Sequence, residues 1–240
     1  MPNLVNPYIF LFPPLNSDLI AWYDAQDPLG TGRPLSSGSA VSSWVDKSVN
    51  ARNASQNVSG ARPTYTYNVL NGNPGILFDG SASYMFLAAD WNLPSTSTIF
   101  TYVQPTLSSQ GGGIILGSIS NTGGWSQNIR YQGNVPELSC WNLNIATATV
   151  TATTSSVIWS LRTNTGTSAA QFRQNGTNLS TTSIITGNPF IMGQIGALGN
   201  PGPPGAGFFQ GYIFEILIYN AYLTDGQCAS VESYFAAKWG

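Results

Sequence analysis

The sequence contains no histidine. That absence removes the commonest general base, the commonest metal ligand and every Ser-His-Asp arrangement. Charge is scarce as well. Charged residues make up 8% of the chain, against about 25% in an ordinary soluble protein. Eight basic residues are scattered without a run or patch, which argues against nucleic-acid binding. Only three glutamates occur, Glu137, Glu215 and Glu232. The two cysteines, Cys140 and Cys228, have neither CxxC nor zinc spacing, so buried free thiols are the first expectation and a disulfide between the two is the alternative. No stretch of ~18 apolar residues is present, which excludes an apolar membrane-spanning helix. The first residues lack the charged start and small-residue cleavage site of a signal peptide, so any route out of a cell is expected to use something other than a cleaved leader.

What is present is a chain of 240 residues, 42% of them apolar. That is enough for a full core and too much for disorder. Residues 1–14 read MPNLVNPYIFLFPP. Prolines bracket an apolar run that can form neither a regular helix nor a central strand. An extended apolar arm over residues 1–17 is expected, with Tyr8, Ile9, Phe10 and Phe12 as the side chains that anchor it to its own domain or to a partner.

From residue 18 to 240 a single domain is expected. Short strand-like runs recur: Leu19–Tyr23, Gly75–Phe78, Thr98–Val103, Ile114–Leu116, Leu138–Leu143, Val157–Leu161, Ala169–Gln174 and Phe190–Gly193. Asn71-Gly72 and Asn175-Gly176 are hairpin turns of the kind that needs positive φ at both residues. Such spacing predicts an all-β sandwich. Residues 199–207 (GNPGPPGAG) hold too few repeats for a collagen helix and read as a stiff loop.

The C-terminal segment is the most legible. Phe208–Tyr219 (FFQGYIFEILIY) is apolar on both faces, so a central, covered strand is predicted. Glu215 within it then requires a hydrogen-bonding or cationic partner. Thr224-Asp225-Gly226-Gln227 is a capping box, and Leu223 with Cys228 is a hydrophobic staple. Cys228, Val231, Tyr234 and Phe235 follow at helical spacing. Lys238 suits the negative end of the helix dipole.

This closing run, through Asn220, Leu223 and a helix ending in Phe235-Ala-Ala-Lys238, resembles the end of concanavalin A-like, laminin-G-type jelly-roll domains. Leu19-Ile-Ala-Trp22-Tyr23-Asp24-Ala25, Val41-Ser-Ser-Trp44-Val-Asp46 and Asn71-Gly72-Asn-Pro74-Gly75-Ile76-Leu-Phe78-Asp79-Gly80 resemble its opening. The resemblance implies an antiparallel two-sheet jelly roll with a short C-terminal helix. Val5-Asn6-Pro7-Tyr8-Ile9-Phe10 is similar to short leaders of bacteriophage virion proteins that carry such domains.

Glucanases of this superfamily carry Glu-x-Asp-x-x-Glu, which supplies paired carboxylates. The three isolated glutamates do not reproduce it, so no enzyme is expected. Related domains often hold Ca2+ through carboxylates and carbonyls. Asp46, Asp79 and Asp90 are the candidate ligands, although Asp79-Gly80 is also turn chemistry and Asp46 suits a loop cap. Glycan binding requires an aromatic platform beside polar groups. Trp91, Trp125 and Trp141 lie near loops rich in Asn, Gln and Ser, whereas Trp22, Trp44 and Trp159 fit a core. Four Asn-x-Ser/Thr sequons, at Asn53, Asn57, Asn175 and Asn178, follow from composition alone.

Two functions are therefore expected. The first is a structural protein of a virion or other surface assembly (a capsid decoration, head fibre or tail component), forming homo-oligomers and docked by its arm, with host glycans as further partners. The second is a freestanding, extracellular carbohydrate-binding lectin, with or without calcium.

Overall fold

The apolar runs pair into two antiparallel sheets of eight strands each, the sandwich expected from the turn spacing. The computed structural model describes residues 11–106, 113–119, 129–131, 137–141, 145–150, 153–164, 166–167, 169–179, 191–197 and 207–240. Within it, 129–131, 137–141 and 145–147 are described by their backbone. The first strands are β1 (Leu19–Asp24), β2 (Ser43–Trp44), β3 (Ala54–Ser55), β4 (Thr64–Leu70) and β5 (Asn73–Asp79). Then come β6 (Met85–Asn92), β7 (Thr96–Pro105), β8 (Gly113–Gly117), β9 (Ile129–Tyr131), β10 (Glu137–Trp141) and β11 (Ile145–Thr149). The last are β12 (Val157–Asn164), β13 (Ala169–Gln174), β14 (Thr177–Asn178), β15 (Ile191–Ile195) and β16 (Gln210–Tyr219), followed by the helix α1 (Asp225–Trp239).

The first sheet runs β14-β13-β12-β7-β16-β5-β4, with β1 also on β16. The second runs β11-β10-β9-β8-β15-β6-β3-β2. Both Asn-Gly turns are two-residue hairpin turns. Asn71 and Gly72 have φ of 49° and 84° between Leu70 and Asn73, and Asn175 and Gly176 have 46° and 83° between Gln174 and Thr177. The Asn71 amide also donates to the carbonyls of Trp239 and Gly240 (3.0 and 2.6 Å), so this hairpin caps the end of α1.

The strand read as Phe208–Tyr219 begins at Gln210. Phe208 instead bridges Ile114 of the second sheet, and the chain changes sheets across Phe209. β16 is central, as its two apolar faces require. One edge meets β7, and the other meets β5 along its first half and β1 along its second. α1 covers the outer face. Phe235 packs on Phe100 and Tyr102, and Trp239 packs on Phe214. Its start has the expected capping box. Leu223 and Cys228 are fully buried, and Cys228 is a free thiol. The arm's last turn lies on the same side. Tyr219 donates its hydroxyl to the Pro14 carbonyl (3.1 Å), and Phe12 meets Trp22 edge-on at 5.9 Å.

Glu215 lies between β16 and α1 with no exposure. Removing an unpaired carboxylate from water costs several kcal/mol. Four donors answer that cost. Oε1 accepts from the Trp22 indole and the Tyr234 hydroxyl, both at 2.6 Å. Oε2 accepts from the Lys238 ammonium at 3.0 Å and the Trp239 indole at 2.8 Å. Lys238 therefore serves more than the helix dipole, because it also bridges to Asp24 at 3.0 Å. Lys47 closes the set on Asp24 and Asp27 at 3.0 and 3.5 Å. Burial alone would raise the Asp24 carboxyl, but Lys238 and Lys47 hold it below its ordinary value. Burial raises the Glu215 carboxyl, with Lys238 pulling it back.

The variant Lys238→Met leaves the buried carboxylates without their shared ammonium. It is expected to cost about 3–5 kcal/mol, read as a lower urea midpoint at unchanged slope. A loss below about 1 kcal/mol would show that the cluster does not hold α1 to the sheet.

Candidate functional site

Asp46 organises the loop that follows β2. One carboxylate oxygen accepts from the backbone N–H groups of Trp22 and Ser48, both at 2.9 Å. The other accepts from the Ser48 hydroxyl at 3.0 Å and the Arg52 N–H at 2.9 Å. The Asn53 side chain returns a bond to the Asp46 N–H at 3.0 Å, and the Tyr23 hydroxyl donates to the Arg52 carbonyl. Ala51 is held at φ 48°, a left-handed conformation that an alanine adopts only when its surroundings over-determine it. The loop thus presents Arg52 and Asn53 from a fixed backbone.

Facing it is a bulge in β6. Phe86 pairs with Gln194 and Trp91 with Met192, so residues 87–90 stand opposite Gly193 alone. The extra length folds Asp90 back across β15, where its Oδ1 accepts the Ile119 N–H at 2.7 Å. A Cβ on Gly193 would stand 2.1 Å from that oxygen, so only glycine admits the fold-back. The bulge brings Trp91 to the rim, half-buried and packed against the core on one side.

Residues 51–53 and 87–92 enclose a groove of about 810 Å³. The Arg52 guanidinium lies over the Trp91 ring, 4.1 Å from its centroid. Asn53, Ala88, Ala89 and Asn92 are exposed on its walls. An indole with amides around it suits a ligand that has one apolar face and a hydroxylated edge. A second cavity of about 460 Å³ lies against the β13–β14 hairpin. Its lining of Thr153, Ser155, Ser156, Gln174, Asn175 and Thr177, with Leu179, offers no ring and no charge.

The residues singled out from the sequence are dispersed. Trp91 lies in the groove. Trp125 is outside the described residues, and so is the side chain of Trp141, whose backbone belongs to β10. Trp22, Trp44 and Trp159 are buried. Tyr8, Ile9 and Phe10 are outside the described residues, and Phe12 is 73% exposed. The three aspartates sit in different turns. Asp46 holds the Arg52 loop and Asp90 the bulge, while Asp79 Oδ1 accepts the N–H groups of Ser81, Ala82 and Ser83 at 2.8–2.9 Å. Among the described residues no three acidic or cysteine side chains gather in a metal-binding group. Sequence reasoning missed Arg52 and the groove. The positive-φ Ala51 and the bulge carry no sequence signature, and Arg52 lies 39 positions from Trp91.

No protein-family model matches the chain, and no curated protein matches it either. Solved structures do share the fold. Domain 4 of AbnA, a GH43 extracellular arabinanase from Geobacillus stearothermophilus in complex with arabinotriose, is 17% identical, with a TM-score of 0.55 over 90% of this chain and 98% of that one. An arabinofuranosidase complexed with arabinofuranosyl-alpha-1,2-xylobiose is 13% identical, with a TM-score of 0.62 over 95% of this chain and 60% of that one. Trypanosoma rangeli sialidase in complex with sialic acid is 13% identical, with a TM-score of 0.55 over 90% of this chain. The chain spans only 33% of that sialidase. At these identities the likeness is one of fold: a β-sandwich that occurs in glycan-processing proteins.

Two outcomes test the local geometry. Backbone donors hold the Asp79 carboxyl at about 2 against the pull of burial. A folded pKa below the unfolded one contributes stability that is present above about pH 4 and lost as pH falls towards 2. Asp79→Asn should remove that part of the acid slope, and an NMR titration of Asp79 near its ordinary value would refute the turn. Gly193→Ala should cost about 1–3 kcal/mol and shift the amide of Ile119. An unchanged Ile119 resonance would mean that Asp90 does not fold back.

Proposed function

We propose that this domain is a non-catalytic carbohydrate-binding β-sandwich that takes its ligand in the Trp91–Arg52 groove. The observation that carries the reading is the half-buried Trp91 ring, brought to the rim of an 810 Å³ groove by a built bulge and flanked by amides. The arabinotriose complex of AbnA domain 4, which shares the fold, supports it. Trp91 presents its indole edge to the apolar face of a sugar ring beside the stacked Arg52 guanidinium, and Asn53 and Asn92 accept and donate at the hydroxyls.

The chemistry of the groove favours binding over hydrolysis. A glycosidase uses two carboxylates about 5–10 Å apart. Among the described residues Asp90 is the only carboxylate that lines this groove, and one of its oxygens accepts the Ile119 N–H. Each of the aspartates considered for calcium has at least one oxygen on a backbone N–H, so binding is proposed to be independent of calcium.

A second reading, an assembly protein of a virion or cell surface docked through its arm, is supported by Phe12, which leaves 73% of its surface in solvent beside Trp22. The two readings are compatible, and the fold likenesses favour the glycan reading.

On a glycan array, and with arabinotriose by calorimetry, the wild-type protein should bind at least one saccharide class. Trp91→Ala should weaken it tenfold or more while circular dichroism stays native, and EDTA should change affinity by less than about twofold. Binding that survives Trp91→Ala would place the site elsewhere.

A further inference from the structure

Every arginine with a described network other than Arg52 uses its guanidinium on the chain itself. Arg62 donates to the carbonyls of Gln56 and Asn57. Arg162 meets the Leu223 carbonyl, Asn178 and Asp225. Arg173 meets Glu232, Asn178, Asp225 and the Gly176 carbonyl. Arg52 differs. Its backbone is bound at both ends, by Asp46 and Tyr23. Its guanidinium lies on the Trp91 ring and makes no hydrogen bond or ion pair among the described residues.

A guanidinium carries five N–H donors in a planar fork that matches an oxyanion bidentately. Stacking on an indole satisfies its face and leaves its edges open. Arg52 is one of the residues that line the groove. The carboxylates nearby do not neutralise its guanidinium by contact. Asp46 has both oxygens on donors from Trp22, Ser48 and Arg52's own backbone. Asp90 lines the same groove and sends Oδ1 to Ile119.

We infer that the groove selects anionic saccharides, with Arg52, backed by the Trp91 ring, gripping a carboxylate or sulfate of the sugar. The inference rests on the carbohydrate-binding reading and gives it a ligand class. Arg52 is pre-positioned for this by the Asp46-held loop, so little ordering is required on binding.

The test is calorimetry of the full chain with three probes: an oligogalacturonide, its fully methyl-esterified form and a sulfated galactan oligosaccharide. At least one anionic probe is expected to bind about tenfold or more tighter than the ester, with affinity falling as salt rises. The two anionic arms tell carboxylate from sulfate. Arg52→Gln should abolish the preference and retain the weak binding of the ester, and Arg52→Lys should restore part of it. Affinity for both anionic probes no greater than for the ester, or a preference that survives Arg52→Gln, overturns the inference while leaving a neutral-sugar site standing. If no probe and no array saccharide binds the folded protein, the carbohydrate reading itself fails, and the inference with it.

Discussion

A carboxylate buried in the middle of a central strand has to be answered by donors, and Glu215 determines how this chain closes. Its four partners come from opposite ends of the sequence: Trp22 from β1, and Tyr234, Lys238 and Trp239 from α1. Meeting that demand places β1 beside β16 and seats the helix on the sheet. Lys238 then extends the network to Asp24, and Lys47 extends it to the loop after β2. Deleting one partner is costlier than the same loss at a surface, because the charge left behind has no water to turn to.

The same network reaches the candidate site. Lys47 directly follows Asp46, and Trp22 gives its backbone N–H to Asp46 and its indole to Glu215. The loop carrying Arg52 is therefore anchored to the most deeply buried charges in the described structure. A strained Ala51 is tolerable there because Asp46 and Tyr23 bind the Arg52 backbone beside it, while Asn53 ties the loop back to the Asp46 N–H. Opposite, the β6 bulge is held by Asp90, laid over a glycine and bonded to the Ile119 N–H. The groove is thus preformed from two sides and is not a gap left between loops.

Much of the fold was legible in the sequence, for identifiable reasons. The Asn-Gly pairs require positive φ, and both became tight hairpins. The capping box and staple located α1. The apolar run around Glu215 demanded burial on both faces and a partner for the charge. β6 was not legible. Its Met-Phe-Leu-Ala-Ala-Asp-Trp-Asn has no clean alternation, because residues 87–90 leave the ladder at the bulge. The feature that hides the strand also builds the site, so the site was equally obscure. Trp91 was recognisable by type and neighbourhood. Arg52 was not, since its partner lies on another strand and its significance is a set of unused donors that only geometry exposes.

The most direct test is an NMR titration of the seven tryptophan indole N–H signals with a saccharide that binds. The account predicts that the Trp91 signal moves, while the Trp22 and Trp239 signals stay fixed in their bonds to Glu215. Movement at Trp125 or Trp141 with Trp91 unchanged would contradict it.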